Sequence, residues 1–552
     1  MAKNGRAVLV MAVLSLVAAC APAAATPTST PRWTPMPEGE LTTLNLNLGG
    51  EPPTLDPTLA TDAVSQEVIV NLFLGLTGIH GDTGEVIPQL ATRWEVSEDG
   101  LVWTFHLRDD VYWVHYDPQT KEAEKKRKVT AHDVEYAVRR AINRRTESGY
   151  VWVESFFDGV KALDDYSVRF TLEQPAAYSP SIAGLWGNYP LPREVIEGFG
   201  SRWTEPGNLW TCGPYMLDTW KRHNRIQLVK NPHYYDASNV TIDTVNFAAV
   251  DEGLTALHMY ENGDLDSTRV PAEDLERVRA DPQLSKELHV DPTLSTTCLA
   301  TAAFAFNVSK PPVDNRLVRK ALAAAVDRQK LVDTAHKGAK IAATTFAPPG
   351  VFGSPAEDPN FEGIPFDPGR ARTWLAEAGY AGGEGLPELV LLFPTRGANE
   401  LAMEFLQQQW RDHLGIEVKG WGEETTEQRL LDPPHMFAIG WNADYPDEHN
   451  FMLDFCHPTE GLNFSRWNAE DPAAVWFMEV TEAAAIELDP LKRKALYFQA
   501  EKILCEDEAI IFPLWYDSWL WSDSDAFLVK PYVERAYNPL GQGLALWRVK
   551  PH

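Results

Sequence analysis

The sequence is poor in cysteine, in positive charge and in long apolar runs, and it lacks compact catalytic signatures. Its five cysteines, Cys20, Cys212, Cys298, Cys456 and Cys505, never fall into a C-x-x-C spacing, which argues against a zinc knuckle. Lys and Arg number 49 against 78 Asp and Glu, a formal charge of −29. That balance argues against nucleic acid, whose phosphates must be neutralised by basic side chains. One charge-free apolar run, Ala7–Ala19, has 13 residues, short of the roughly 20 that cross a bilayer. No G-x-S-x-G elbow, P-loop, H-E-x-x-H or strand-borne G-x-G-x-x-G occurs, so no standard nucleophile, phosphate cradle or metalloprotease helix is encoded. A glycosidase-type carboxylate pair cannot be singled out among 78 acidic residues.

What is present is ordinary globular material. A length of 552 residues corresponds to two to four domains at roughly 100–200 residues each. With 44% hydrophobic and 23% charged residues the chain can bury a large core. The first segment is set apart. Lys3 and Arg6 precede the apolar run, which ends in "VAAC" (Val17–Cys20). This resembles a bacterial lipobox, and implies a signal peptide over 1–19 with cleavage before Cys20 and lipid on its thiol. A plain secretory signal is the other reading. Ala21–Glu40 holds five prolines among Ala and Thr and reads as an extended tether. No later run is long and apolar enough to span a membrane, so a soluble body tethered by its lipid is expected.

The body reads as α/β. Leu41, Leu44, Leu46 and Leu48 alternate with polar residues and predict a strand. Leu101–Leu107 and Ser167–Leu172 are rich in β-branched and aromatic residues and predict two more. Thr130 and Asp133 have capping-box spacing ahead of Val134, Ala137, Val138 and Ile142, which share a helical face. Leu317, Ala321, Leu322, Ala325 and Val326 recur at helical spacing behind Pro311-Pro312. Asp367 and Pro368 predict a helix start, and Gly379 its end.

Three stretches stand open to more than one reading. "KEAEKKRK" (Lys121–Lys128) is the only strongly basic run: an anionic-partner patch, or a solvated hairpin tip, the reading preferred here. Asp523 and Asp525 begin like a calcium loop but lack its glycine and closing glutamate, which favours a surface turn. His449, Cys456 and His457 lie near Asp447 and Glu448, yet their spacing fits no standard metal-ligand pattern, and no metal or cofactor is expected.

Seven segments, in order, resemble the extracellular solute-binding proteins of family 5, the peptide-binding components of ABC importers. They are "GGEPPTLDPTLATDA" (Gly49–Ala63), "LFLGLTGI" (Leu72–Ile79), Ile87–Trp113, Val129–Ile142, Gly213–Asp236, Phe306–Arg328 and "GWNADYPDEHNF" (Gly440–Phe451). The resemblance covers nearly the whole body from Leu41. It implies a two-lobed α/β fold of the periplasmic-binding type (type II, cluster C), with an inserted domain and a hinge between the lobes. The expected division is 20–40 lipidated tether; 41–75, 204–297 and 519–552 lobe one; 76–203 the insertion; 298–518 lobe two. Two departures stand out. Val114–Lys128 replaces a short turn by a longer basic loop, and Asn442 stands where some oligopeptide binders have a cysteine bridged to a position like Cys298.

For the site, the resemblance implies that Asp444 meets the ligand's α-ammonium. Backbone groups of Gly440, Trp441 and Asn442 would pair with an extended peptide. Thr61 and Ala63 would add backbone contacts from the other lobe, and Arg429 would face the ligand's far end. Against these stand plainer roles: a core tryptophan for Trp441, a structural salt bridge for Asp444, a solvated helix arginine for Arg429, and turn residues for Asp447 and Glu448. The implied function is peptide capture, without catalysis, for an ABC importer permease at the outer face of the cell membrane or in the periplasm, by a monomer. Saccharide, nickel or haem binding on the same fold, a secreted hydrolase, and a sensory or adhesive lipoprotein are the rivals. Most of the 19 tryptophans read as core rather than as sugar platforms.

Overall fold

The alternation around Leu44 and Leu46 makes a strand, Thr43–Asn47, which lies at the centre of a seven-stranded sheet in the computed structural model. The structure describes residues 41–80, 85–149, 156–290, 299–395, 399–423, 432–459, 462–517, 526–534 and 544–550. Leu41–His552 form one unit, and Met1–Glu40, with the signal segment, Cys20 and the tether, fall outside the described residues. The strand order in this first sheet is Tyr215–Lys221, Arg225–Lys230, Thr244–Ala248, Thr43–Asn47, Ser267–Arg269, Ala526–Val529, Leu288–Val290. Thr43–Asn47 is parallel to both neighbours, and the outer pairs are antiparallel.

A second, six-stranded sheet runs Ile341–Ala342, Ile511–Asp517, Ala300–Phe306, Met436–Asn442, Leu389–Pro394, Val418–Glu423. Every residue of Ala300–Phe306 is buried, as a strand covered on both faces requires. Its period of two sorts the cores. Phe304 and Phe306 pack with Leu322, Leu375 and Trp410, from the helices Arg316–Ala324, Pro368–Glu377 and Asn399–Leu414. Ala303 and Ala305 face the opposite core with Phe477 and Tyr497, from Pro472–Ile486 and Pro490–Glu501. The chain passes from the first sheet to the second between Val290 and Ala300, and returns between Asp517 and Ala526.

Between the parts of the first sheet come two smaller sheets. One is antiparallel, Ala91–Val96, Val102–Leu107, Ser167–Leu172 and Phe157–Asp164, and contains two of the expected strands. The other joins Trp210–Thr211, Tyr112–Asp117 and Glu122–Lys128. The helix Ala131–Ala141 starts on the expected capping box. Pro368–Glu377 starts on Asp367, whose Oδ1 accepts from Arg370 N at 2.9 Å. Gly379 takes φ +96° just past its end, a conformation glycine adopts without strain.

The Thr-Leu-Asp-Pro core of the first motif has a structural job. Buried Asp56 receives Arg140 Nη1 and Nη2 at 2.8 and 2.6 Å and Trp203 Nε1 at 2.9 Å. It ties the N-terminal segment to the capped helix and to Trp203.

The basic run is the second strand of a hairpin rather than a free loop. Its cations are taken up within the protein. Lys121 Nζ donates to buried Asp218 at 2.6 Å. Arg127 bridges Asp133 and Glu194, both at 2.6 Å. Lys126 pairs with Glu124, and Lys128 lies 3.6 Å from Asp109. This pairing favours the hairpin reading over an anionic-partner patch.

Among the described residues Cys212, Cys456 and Cys505 are free, buried thiols. Cys298 and the Asp523–Asp525 stretch fall outside the described residues. Trp113, Trp203, Trp410, Trp515 and Trp547 are among the largest fully buried side chains, in keeping with the core reading of the tryptophans. No described helix is long and apolar enough to cross a membrane.

Candidate ligand-binding site

The strand Met436–Asn442 begins with large apolar residues and ends in Gly-Trp-Asn. It pairs antiparallel with Ala300–Phe306 along its whole length, setting Ala302 opposite Gly440 and Ala300 opposite Asn442. On its other side the parallel register with Leu389–Pro394 ends at Leu392 opposite Phe437. Gly440, Trp441 and Asn442 run past that neighbour and are half-buried, whereas Met436–Ile439 are buried.

Asp444 follows two residues later and is also half-buried. Its position is set by Asn450, a fully buried residue that sequence reasoning passed over. Asn450 Oδ1 accepts from Trp441 Nε1 at 2.6 Å and from Asp444 N at 3.0 Å. Its Nδ2 donates to Asp454 Oδ2 at 2.9 Å and to Asp444 Oδ2 at 3.3 Å. Both acceptor sites and both protons of the amide are in use. A flipped amide would set its NH2 against two donors and its oxygen against two carboxylates, so this orientation is enforced. Trp441 also packs its ring 4.9 Å from Phe455. It is part core, part surface, with its indole N–H tied to the residue that holds Asp444. One sequence signal was available: Asn450 and Asp454 stand at i and i+4, the spacing that puts side chains on one helical face. They lie on the helical turns His449–Phe451 and Met452–Cys456.

The reading of Asp447 and Glu448 as plain turn residues needs correction. Asp447 is buried and accepts from Arg493 Nη1 and Nη2 at 2.8 and 2.6 Å. Glu448 is fully buried, and neither carboxyl oxygen has a hydrogen-bond partner among the described residues. Burial, then the nearby Glu501, hold its acid well above the ordinary carboxylate range. Burial also pushes Glu501 up to about 7, although Phe346 and Ala347 N–H groups and the Cys505 thiol donate to it. Those donors favour charge on Glu501, and Glu448, which has none, keeps its proton.

The stability consequence has a definite sign. From the ordinary value of 4.5 upward, the folded state retains a proton that the unfolded chain has lost, so stability falls as pH rises through that window. Glu448→Gln removes the ionising group. Between about pH 5 and about pH 8 its melting temperature is expected to fall less than that of wild type. Thermal unfolding of both proteins across that range checks this, and parallel curves would refute it.

Thr61 and Ala63 sit elsewhere, at the start of the helix Ala63–Leu72, which is capped by Asp62 Oδ1 accepting from Ser65 N at 2.8 Å. Thr61 is exposed and Ala63 half-buried. The turn before them is braced by Trp186 Nε1 donating to Ala60 O at 2.9 Å and Ser148 Oγ to Thr58 O at 2.8 Å. Arg429 falls outside the described residues. His449 lies between two tyrosine hydroxyls, and His457 Nε2 is 3.4 Å from Glu482. Among the described residues no group of three or more His, Cys, Asp or Glu is placed to hold a metal ion.

Two sheets joined by two chain crossings, with an acid-bearing strand end on one of them, define a two-lobed binding protein of the periplasmic type II class. More narrowly, residues 85–463 match the model of the bacterial extracellular solute-binding proteins, family 5 Middle, and the chain belongs to that family. The oligopeptide-binding protein OppA of Bacillus subtilis is 29% identical over 530 residues, covering 90% of this chain and 92% of its own. A probable deoxycholate-binding periplasmic protein of Escherichia coli, YgiS, is 30% identical, covering 88% and 89%. The unliganded open form of the murein tripeptide-binding protein MppA superposes with TM-score 0.76 at 26% identity, covering 93% of this chain and 98% of that one. A second structure, of Escherichia coli MppA, covers 93% and 99% and gives 0.67 at the same identity.

Proposed function

We propose that this chain captures peptides, from dipeptides to oligopeptides, between its two lobes and delivers them to the permease of an ABC importer, catalysing no reaction itself. The observation that carries this reading is the Asp444 carboxylate, held by Asn450 beside the end of a sheet strand. Peptides of mixed sequence share only a backbone and a charged amino terminus. A strand end at Gly440–Asn442 suits the first, by strand addition. Asp444 suits the second, through a charge-assisted hydrogen bond. Thr61 and Ala63 would contribute from lobe one and Arg429 from lobe two. We further propose that Cys20 carries the lipid anchor, that 20–40 is the tether, and that the monomer works outside the cytoplasmic membrane.

A neutral saccharide brings no ammonium group for Asp444 to meet. A bile acid such as that in the name of YgiS brings an anionic carboxylate toward Asp444 and Asp454, and like charges repel. The test is thermal unfolding of the full-length chain with tripeptides, cello-oligosaccharides and deoxycholate. The expected result is a raised melting temperature with peptides only. Bound ligand at a hundredfold excess over its Kd adds about 2.7 kcal/mol. A rise with sugar or deoxycholate and none with peptides would replace the ligand class, and turnover of any peptide would argue for the hydrolase.

A further inference from the structure

The hydrogen-bond network around Asp444 does not stop at Asn450. Asp454 Oδ2, which accepts from Asn450, also accepts from Tyr445 Oη at 2.7 Å. Tyr445 Oη lies 2.7 Å from His449 Nδ1, and His449 Nε2 lies 2.8 Å from Tyr178 Oη. The donors can be assigned along the chain. The single hydroxyl proton of Tyr445 goes to the Asp454 carboxylate, so Tyr445 Oη accepts and His449 Nδ1 carries hydrogen. His449 Nε2 then accepts from the Tyr178 hydroxyl. Burial holds the imidazole below the usual histidine range, with Asp454, Asp447, Arg493 and His457 as the titratable groups around it. The neutral ring matches this assignment.

The rings reinforce the line of bonds. Tyr178 stacks on Tyr445, centroids 5.6 Å apart and planes 9° apart, and on His449 at 3.9 Å. Tyr178, Tyr445 and His449 are all buried. Tyr178 lies 271 positions from His449, immediately before the short helix Ser179–Ala183. It is carried by a part of the chain remote from the strand end that bears the site.

We propose that Tyr178 and His449 are positioning residues for the ligand anchor, acting on Asp444 and Trp441 through Tyr445, Asp454 and Asn450. The proposal rests on the reading of Asp444 as the ammonium anchor. Neither residue touches the ligand in this account. Together they fix the Tyr445 hydroxyl, which with Asn450 fixes Asp454, and Asn450 in turn orients the carboxylate and the indole.

The test uses full-length chains with Tyr178→Phe, His449→Leu and His449→Gln. Two readouts are taken: the affinity ratio of trialanine to N-acetyl-trialanine by calorimetry, and the NMR signal of the Trp441 indole N–H, assigned with Trp441→Phe. His449→Leu is expected to reduce the ratio about three- to tenfold and to move the indole signal. His449→Gln, whose amide can both donate and accept, is expected to recover much of both. Tyr178→Phe keeps the stacked ring and removes only the hydroxyl, so it decides the matter should His449→Leu fail to fold. An unchanged ratio and an unmoved indole signal, even with a lowered melting temperature, would overturn the proposal and leave the residues a packing role. If wild type binds both peptides equally, the anchor reading fails. The indole signal then decides alone: moved and restored, it upholds the chain of positioning to Trp441; unmoved, it refutes it.

Discussion

Arg493→Ala is expected to lower the unfolding free energy by about 3–5 kcal/mol, the cost of stranding a buried charge. Both side chains of the Arg493–Asp447 pair are 4% exposed. The guanidinium makes two bonds to Asp447, donates from Nε to Ala484 O at 3.1 Å, and donates from Nη2 to Tyr497 Oη at 3.0 Å. Removing it leaves the Asp447 carboxylate buried with the weak bond from Tyr497 and the His449 N–H at 3.0 Å as remaining donors among the described residues. The loss is one of compensation more than of attraction. The double variant Arg493→Met with Asp447→Leu is therefore expected to recover most of the stability, because two apolar groups of similar size need no partner. Urea unfolding of the two single variants and the double checks this. A single variant as stable as wild type would mean that water reaches Asp447. The exposed pair Arg193–Glu197 serves as a control, and its removal is expected to leave the midpoint in place.

The second large effect is on binding. Asp444→Ala is expected to weaken a free-amine tripeptide by about 10- to 150-fold, the equivalent of about 1.5–3 kcal/mol for a hydrogen bond to a charged group. Asp444→Asn separates shape from charge. Its carbonyl oxygen can still accept from Asn450 Nδ2, so the local frame persists while the counter-charge for an ammonium is gone. It is expected to bind nearly as weakly as the alanine variant at an unchanged melting temperature. Equal affinity of Asp444→Asn and wild type would show that Asp444 serves only to orient Asn450.

Local features of the fold were legible in the sequence because local rules govern them. The Leu44–Leu46 alternation, the Thr130–Asp133 box and the Asp367–Pro368 start each need only a few adjacent residues, and each forms as expected. The ordered family segments also point to the Gly440–Asp444 stretch. What the sequence concealed were partners far apart in the chain. Asp447 looked like a turn residue because its partner lies 46 positions on. Glu448 reads as a turn residue behind Pro446, yet it is buried beside Glu501. Asn450 is one polar residue in a helical turn until the indole of Trp441 and the amide of Asp444 are folded onto it. The basic run shows the same limit. Its hairpin was legible, but not the acids Asp218, Asp133 and Glu194 that pair with its cations from outside the hairpin.

The central claim is that Asp444 holds the amino terminus of a bound peptide. The most direct measurement is calorimetric titration of trialanine and N-acetyl-trialanine into wild type and Asp444→Ala. The account predicts that wild type prefers the free amine by at least about tenfold and that Asp444→Ala loses the preference by losing affinity for the free peptide alone. A wild type indifferent to acetylation, or a preference that survives in Asp444→Ala, would contradict it.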